Sequence, residues 1–265
     1  MTDIGGRFRE GSIEVDGFGV RYQEAGVGPA LVHLHGAGGL RLTPALELLS
    51  RTFRVIALEM PGFGTAENQR TQSIQDLATT MAVAVEALGL TQINLMGTSF
   101  GGAVACWMAV QRQDLVAALV LEAPSGIRPE GSEPVSGSPE EVARMLYAHP
   151  ERIPPAPAVE PALAARRLAL VRRLRGPARD ARLEEGLRGL GMPVLVLFGT
   201  RDVVIPPAMG RVYKDLLPNA HLMFVYDAGH AVMVERPEAF AEAVGDFLQR
   251  TDAFVISQTR TVVFP

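Results

Sequence analysis

Short apolar runs recur along this chain, each closed by Gly, Pro or polar residues: Ala30–Leu34, Arg54–Leu58, Ile93–Met96, Val116–Leu121, Val194–Phe198 and Leu222–Tyr226. Runs of this length with little polar alternation predict strands buried on both faces of a parallel sheet. Between them the period changes. From Ser73 onward, Ile74, Leu77, Met81, Val85 and Leu88 fall on one helical face, with Ser73 placed to cap the start and Gly89 to end it. Strand and helix in alternation predict an α/β fold with a doubly wound, mostly parallel sheet. Ahead of these elements, Ser12–Asp16 and Val20–Ala25 flank Gly17-Phe18-Gly19 and predict an antiparallel hairpin at the sheet edge.

The rhythm breaks between Pro124 and Leu190. Pro, Gly and Ser cluster over 124–139, and helical segments follow at Pro139–Ala148, Ala162–Leu174 and Ala178–Leu187. Residues 1–123 and 191–265 are therefore expected to form the core, and 124–190 a helical insertion between two strands that lies over the sheet as a lid. Its apolar residues, among them Met145, Leu146, Tyr147, Leu168 and Val171, would line an apolar substrate pocket. Arginine is dense here, including Arg144, Arg166, Arg167, Arg172, Arg173, Arg175, Arg179, Arg182 and Arg188. The ordinary reading is a solvated outer face, which goes with a neutral, moderately apolar substrate. The opposing reading turns one guanidinium inward to pair with a substrate carboxylate, with Arg144 and Arg167 the candidates by helical context.

Composition changes this picture little. A chain of 265 residues with 48% hydrophobic and 20% charged residues is an ordinary globular chain with enough apolar matter for a sizeable core. A net charge of -4 gives no reason to expect a nucleic-acid partner. The lone cysteine, Cys106, has no partner for a disulfide within the chain. No apolar run is long enough to span a membrane. The opening MTDIGGRFREG lacks the apolar stretch of a secretory signal, so a cytoplasmic location is the default expectation. A small-molecule substrate is expected, with no metal and no cofactor, and a homo-oligomer is compatible with the sequence.

The chemistry concentrates at predicted strand ends, where parallel sheets gather their sites. Gly97-Thr98-Ser99-Phe100-Gly101 follows the run Ile93–Met96 and precedes a second apolar segment. A tight strand-to-helix turn strains the backbone of its central residue, and glycines on either side relieve the crowding so that Ser99 protrudes. The rival role for Ser99 is a helix N-cap. A serine nucleophile needs a base, a group that orients the base, and donors for the oxyanion that forms. His230 ends Asp227-Ala228-Gly229-His230 after one predicted strand, and Asp202 ends Gly199-Thr200-Arg201-Asp202 after the one before it. Glu122, in LEAPSG, is a second candidate for the acid. After Ala30–Leu34 comes His35-Gly36-Ala37-Gly38-Gly39, a loop small enough to bring the Ala37 N–H near a reacting carbonyl, with Phe100 N–H as the second oxyanion donor. His35 is read as an anchor of that loop rather than as the base.

The chain order Ser99, Asp202, His230 is that of α/β-hydrolases. Over nearly its whole length the sequence resembles that superfamily. HGAGG resembles the oxyanion loop, EMPGFG (59–64) the turn after the next strand, GTSFGG the nucleophile elbow, GTRDVVIPP the acid loop and GHAVMVERPEAF the histidine loop. The likeness extends to the lid-bearing branch of carboxylesterases, enol-lactonases and meta-cleavage-product C–C hydrolases. Departures are Glu59 where an Asp usually begins DxPGxG, and Ala231, Val232 and Met233 where the meta-cleavage branch often shows a Trp. Ser99 argues against branches whose nucleophile is a carboxylate, the haloalkane dehalogenases and epoxide hydrolases. The resemblance implies a serine hydrolase of an ester, thioester or lactone. The alternatives are a C–C bond hydrolase or lyase on the same frame, and a ligand receptor that has kept the fold without catalysis.

Overall fold

The alternating pattern folds into a nine-stranded sheet with helices on both faces, seen in a computed structural model that describes residues 8–154, 159–254 and 262–263. The start of the opening segment read for a secretory signal lies outside the described residues. The hairpin β1 (Arg9–Val15) and β2 (Phe18–Ala25) comes first, then β3 (Ala30–Leu34), α1 (Pro44–Leu49), β4 (Arg54–Leu58) and α2 (Ile74–Ala87). Next are β5 (Ile93–Thr98), α3 (Phe100–Gln111) and β6 (Val116–Glu122). Among the described residues three α-helices and one 3-10 turn (Pro150–Arg152) then separate β6 from β7: α4 (Pro139–Leu146), α5 (Pro161–Leu174) and α6 (Ala181–Arg188). The chain resumes with β7 (Val194–Gly199), α7 (Ala208–Leu216), β8 (Ala220–Val225), α8 (Val232–Glu235), α9 (Pro237–Arg250) and β9 (Val262–Val263). The sheet order is β1-β2-β4-β3-β5-β6-β7-β8-β9. Strands β3 to β8 pair in parallel with one another, while β1, β2 and β9 join antiparallel. Among the described residues no helix is long and apolar enough to cross a membrane.

The inner strands are buried on both faces, which is why they read as apolar runs. Neighbours along a strand point to opposite layers. Leu31 packs with α1 and α9 through Leu46 and Phe247, whereas Val32 packs with α2 and α3 through Leu77 and Val104. The α2/α3 layer also receives Leu170, Val171 and Leu174 of α5 and Leu183 and Leu187 of α6. The segment between β6 and β7 therefore shares a core with the sheet.

Several boundaries differ from the pattern, each for a local reason. The first hairpin turns at Asp16 and Gly17, with φ of 51° and 73°, a tight turn that leaves Phe18 and Gly19 to pair with Val15 and Glu14. Helix α4 ends at Leu146 instead of continuing to Ala148, because Tyr147 is extended and the Leu146 carbonyl accepts from Ala231 N at 3.1 Å. Helix α6 starts at Ala181, where the Asp180 side chain accepts from Arg182 N, and not at Ala178, whose carbonyl accepts from Arg128 N. Strand β8 covers 220–225 and leaves Tyr226 65% exposed, since its pairing with β7 begins at Ala220. Helix α1, with Thr43 as cap and Pro44 in its first turn, is too short to declare a helical period.

Tyr213 fastens α7 to the chain leaving β6. The side chain is fully buried, and its hydroxyl accepts from Ile127 N at 2.8 Å and donates to Pro124 O at 3.2 Å. Removing that hydroxyl strands a buried donor and a buried acceptor, a loss of about 1–3 kcal/mol. Tyr213→Phe should lower the urea midpoint accordingly with an unchanged m-value, and a midpoint equal to the parent's would contradict this role.

Candidate active site

Sheet order decides where a site forms. Strand β3 lies between β4 and β5, so the chain leaves one flank of β3 and later returns on the other. At such a reversal the loops beyond the strand ends diverge and open a crevice. Residues 35–39 leave β3 there and Ser99 leaves β5, with Leu34 and Gly97 in register across the parallel pair. The two loops nearly touch: a methyl group on Gly36 would stand 3.6 Å from Ser99 Cβ.

Ser99 has φ 53° and ψ -111°, a conformation L-residues rarely adopt. It occupies the cap position of α3 yet makes no side-chain capping bond, so its hydroxyl is not used to start the helix. The glycines around it answer to packing. A Cβ on Gly97 would meet Gly101 O at 2.5 Å, and one on Gly101 would meet Leu34 O at 2.2 Å. The first turn of α3 thus lies directly on the ends of β5 and β3.

The loops after β7 and β8 bring Asp202 and His230 together. Asp202 Oδ2 is 2.8 Å from His230 Nδ1, and both residues are buried, at 4% and 3% exposure. The other carboxylate oxygen, Oδ1, accepts from Val204 N at 2.8 Å and Ile205 N at 2.9 Å. A carboxylate only accepts, so Nδ1 carries the imidazole proton and Nε2 is left as an acceptor. Ser99 Oγ makes no hydrogen bond to His230 among the described residues; such bonds are often long before substrate arrives. Glu122, the other acid candidate, does not bond to His230. Its Oε2 accepts from the Thr98 hydroxyl at 2.8 Å and its Oε1 from Met233 N at 2.8 Å. Fully buried, its carboxyl is pushed up to about 7 by desolvation.

On the β3 side, Ala37 N and Phe100 N donate to no acceptor among the described residues. Phe100 N is the first amide of α3, one of the donors that every helix start leaves unpaired. His35 holds the loop in place: Nδ1 donates to Gly36 O at 2.7 Å and Nε2 accepts from Met60 N at 3.1 Å. Its ring meets Phe63 edge-on at 4.9 Å, and Phe63 in turn meets Phe100. Burial above all, together with Arg167, lowers His35 to about 4, so the ring is neutral. His33, two residues earlier, is lowered to about 3 by burial and by His35, and its Nε2 lies 3.2 Å from Thr98 Oγ1.

The segment between β6 and β7 reaches both sides of the crevice. Arg167 donates to Phe63 O at 2.7 Å and also to Gly38 O, within the loop after β3. Arg144 is exposed and donates to Glu140 O. On the opposite side, His149 contacts Asp227 Oδ2 at 2.8 Å, and Glu235 accepts from both His149 N and Gly229 N, next to His230. The sequence gives no signal for His33, Thr98, Met233 or His149. Each sits in an apolar or irregular stretch whose partners are far along the chain.

The profile of the alpha/beta hydrolase family matches residues 31–243, and the chain belongs to this family. It is similar to the 2-hydroxymuconate semialdehyde hydrolase of Pseudomonas sp. (strain CF600), with 30% identity over 92% of this chain and 96% of that protein. It is also similar to the pimeloyl-[acyl-carrier protein] methyl ester esterase of Neisseria meningitidis, with 29% identity over 83% of this chain and 92% of that one. Among solved structures, a bacterial membrane phospholipase A superposes with a TM-score of 0.75 at 26% identity, over 93% of this chain and 87% of the other. Hydrolysis on this frame is thus the class of activity, and the chain is a hydrolase.

The lowered histidines carry a pH signature. The unfolded chain takes up a proton at His35 below about 6.5, whereas the folded ring takes it up only near 4. Between these values the unfolded state binds more protons, so stability rises with pH through this window. His35→Phe should reduce the slope of unfolding free energy between pH 4 and 6.5 by up to about 1.4 kcal/mol per pH unit. Urea melts at several pH values measure it, and a variant slope equal to the parent's would reject a neutral His35.

Proposed function

We propose that this chain is a serine hydrolase that cleaves a carboxylic ester, thioester or lactone through an acyl-enzyme on Ser99. The observation that carries this reading is the buried Asp202–His230 hydrogen bond at the same sheet edge as the strained, uncapped Ser99. In the reaction, Ser99 Oγ gives its proton to His230 Nε2 and attacks the substrate carbonyl carbon. The carbonyl oxygen takes the negative charge and is held by Ala37 N–H and Phe100 N–H. The carbon–oxygen or carbon–sulfur bond then breaks, and His230 passes its proton to the leaving group. A water molecule repeats the sequence on the acyl-enzyme, losing its proton to His230, and frees Ser99. Asp202 keeps His230 in the tautomer with Nε2 unprotonated and stabilises the imidazolium that forms.

The segment 124–190 acts as a lid and shapes the acyl site. Its contacts with the loop after β3 and with the loop around His230 support this reading. A neutral substrate suits it, because Arg144 donates to Glu140 O and Arg167 to Gly38 O and Phe63 O. A second reading, C–C bond hydrolysis on the same residues, draws on the likeness to the 2-hydroxymuconate semialdehyde hydrolase. Comparing kcat/KM for p-nitrophenyl esters with that for vinylogous diketones separates the two.

A fluorophosphonate probe should label the protein on Ser99, and Ser99→Ala should abolish labelling and ester turnover while leaving the melting temperature near the parent's. Asp202→Asn should lower kcat by on the order of 10³–10⁴-fold, because the amide favours the wrong imidazole tautomer. Labelling on any other residue, or near-normal turnover in Ser99→Ala, rules out the nucleophile.

A further inference from the structure

We infer that Glu122 is a positioning residue, whose buried carboxyl group ties the turn carrying Ser99 to the loop carrying His230 and so sets the separation of nucleophile and base. The inference rests on the serine-hydrolase reading above.

Glu122 stands at the end of β6, the strand beside β5, and is 0% exposed. It holds the nucleophile turn twice. Its main-chain carbonyl accepts from Ser99 N at 2.9 Å, and its Oε2 accepts from the hydroxyl of Thr98 at 2.8 Å. Its other oxygen, Oε1, accepts from Met233 N at 2.8 Å, in α8, which begins two residues after His230. Thr98 Oγ1 completes the link with Met233 Sδ at 3.8 Å and His33 Nε2 at 3.2 Å. A single side chain therefore bridges two segments more than a hundred residues apart, each adjoining one member of the Ser99–His230 pair. Both its oxygens are occupied by these contacts, and among the described residues Asp202 alone bonds the imidazole.

The bridge does not need a charge. The charged and titratable groups around Glu122 are His33 from β3, Asp202 from the loop after β7 and His230 from the loop after β8. Burial outweighs the lowering effects of Met233 N, Thr98 and His230, and Asp202 adds to the rise, so the carboxyl titrates near 7. Met233 N meets an acceptor oxygen in both protonation states. On the other side the Thr98 hydroxyl rotates, donating to the carboxylate or accepting from the carboxylic acid. Glutamine has the shape of the neutral form, with an oxygen for Met233 N and an amide N–H for Thr98.

The test uses the full chain, a p-nitrophenyl butyrate assay and the fluorophosphonate probe, on Glu122→Gln, Glu122→Ala, Thr98→Ser and Thr98→Val. Misplacing reacting groups by about an ångström costs on the order of a hundredfold. We expect Glu122→Ala and Thr98→Val to lose roughly ten- to a hundredfold in kcat, with KM changed less than about threefold and labelling of Ser99 slowed in parallel. Glu122→Gln and Thr98→Ser should stay within about threefold of the parent in kcat. A merely structural role would lower the melting temperature and leave kcat at 25 °C in place. Parent-like kcat in Glu122→Ala and Thr98→Val overturns the inference, as does a Glu122→Gln defect equal to that of Glu122→Ala. Where Glu122→Ala does not fold, the Thr98→Val and Thr98→Ser pair decides by the same criterion. Failure of the parent to be labelled at Ser99 is a separate outcome: it sinks the serine-hydrolase reading, and this inference with it.

Discussion

The backbone of Ser99 at φ 53° is the constraint around which this fold is arranged. A non-glycine residue in such a conformation costs on the order of 1–3 kcal/mol and persists only where its surroundings over-determine it. Here they do. Ser99 N donates to Glu122 O, and Ser99 O accepts from both Ala103 N and Ser125 N. Helix α3 must then start against the ends of β3 and β5, which admits glycine at 97 and 101 and little else. The close approach also buries α3 from Phe100 to Ala109, nearly all round. A helix so placed has no polar face, and its composition of Ala, Gly, Val, Met and Trp follows from that position.

The polar groups beneath this turn obey a second constraint: each must do without water. His33, His35 and Glu122 are all buried among strand ends. Burial acts on them in opposite senses, lowering the histidines and raising the carboxyl, so that every one is eased toward its neutral form. The linkage to stability is opposite as well. The histidines favour the folded state as pH rises toward 6.5, while folded Glu122 keeps a proton that the unfolded chain releases between 4.5 and about 7. The lowered histidines thus offset, over the shared part of this range, the pH dependence that the raised carboxyl introduces.

Much of this was legible in the sequence, because the parallel sheet writes itself as uninterrupted apolar runs and its loops as glycine-rich punctuation. Ser99, Asp202 and His230 stand out as candidates because each follows such a run. The geometry joins Asp202 to His230 and leaves the contact with Ser99 unmade. What could not be read has a common cause. Glu122 was visible as an acid at a strand end, but its partners, Thr98 and the Met233 amide, are fixed by tertiary packing and carry no local signal. The helical pattern carries α4 on to Ala148, because periodicity cannot anticipate the Ala231–Leu146 contact that draws the chain away. The helical segments of 124–190 were legible as helices, but their faces were not.

That last failure is instructive for the arginines. As a dense run of cations they read as a solvated surface or as an anion site. Arg144, Arg172, Arg173, Arg179, Arg182 and Arg188 are exposed, in keeping with the first view. Several arginines, exposed Arg173 among them, donate to main-chain carbonyls: Arg166 to Gly64 O, Arg167 to Phe63 O and Gly38 O, Arg173 to Asn68 O, and Arg128 to Ser125 O, Arg175 O and Gly176 O. The reason is geometric. Irregular chain around residues 38, 63–68, 125 and 175–176 leaves carbonyls that no helix or ladder satisfies, and main-chain carbonyls are strong acceptors that seek partners. A guanidinium has several donors, no acceptor and a long apolar stem, so it reaches two or three such carbonyls at once. Lysine, with one compact ammonium, serves this purpose less well. Part of the cationic composition of residues 124–190 therefore answers irregular backbone, and the rest is solvated or paired with Glu184 and Asp180. The Arg167 bond to Gly38 O also lays α5 against the loop that bears Ala37, so a shift of that helix would disturb the amide proposed as an oxyanion donor.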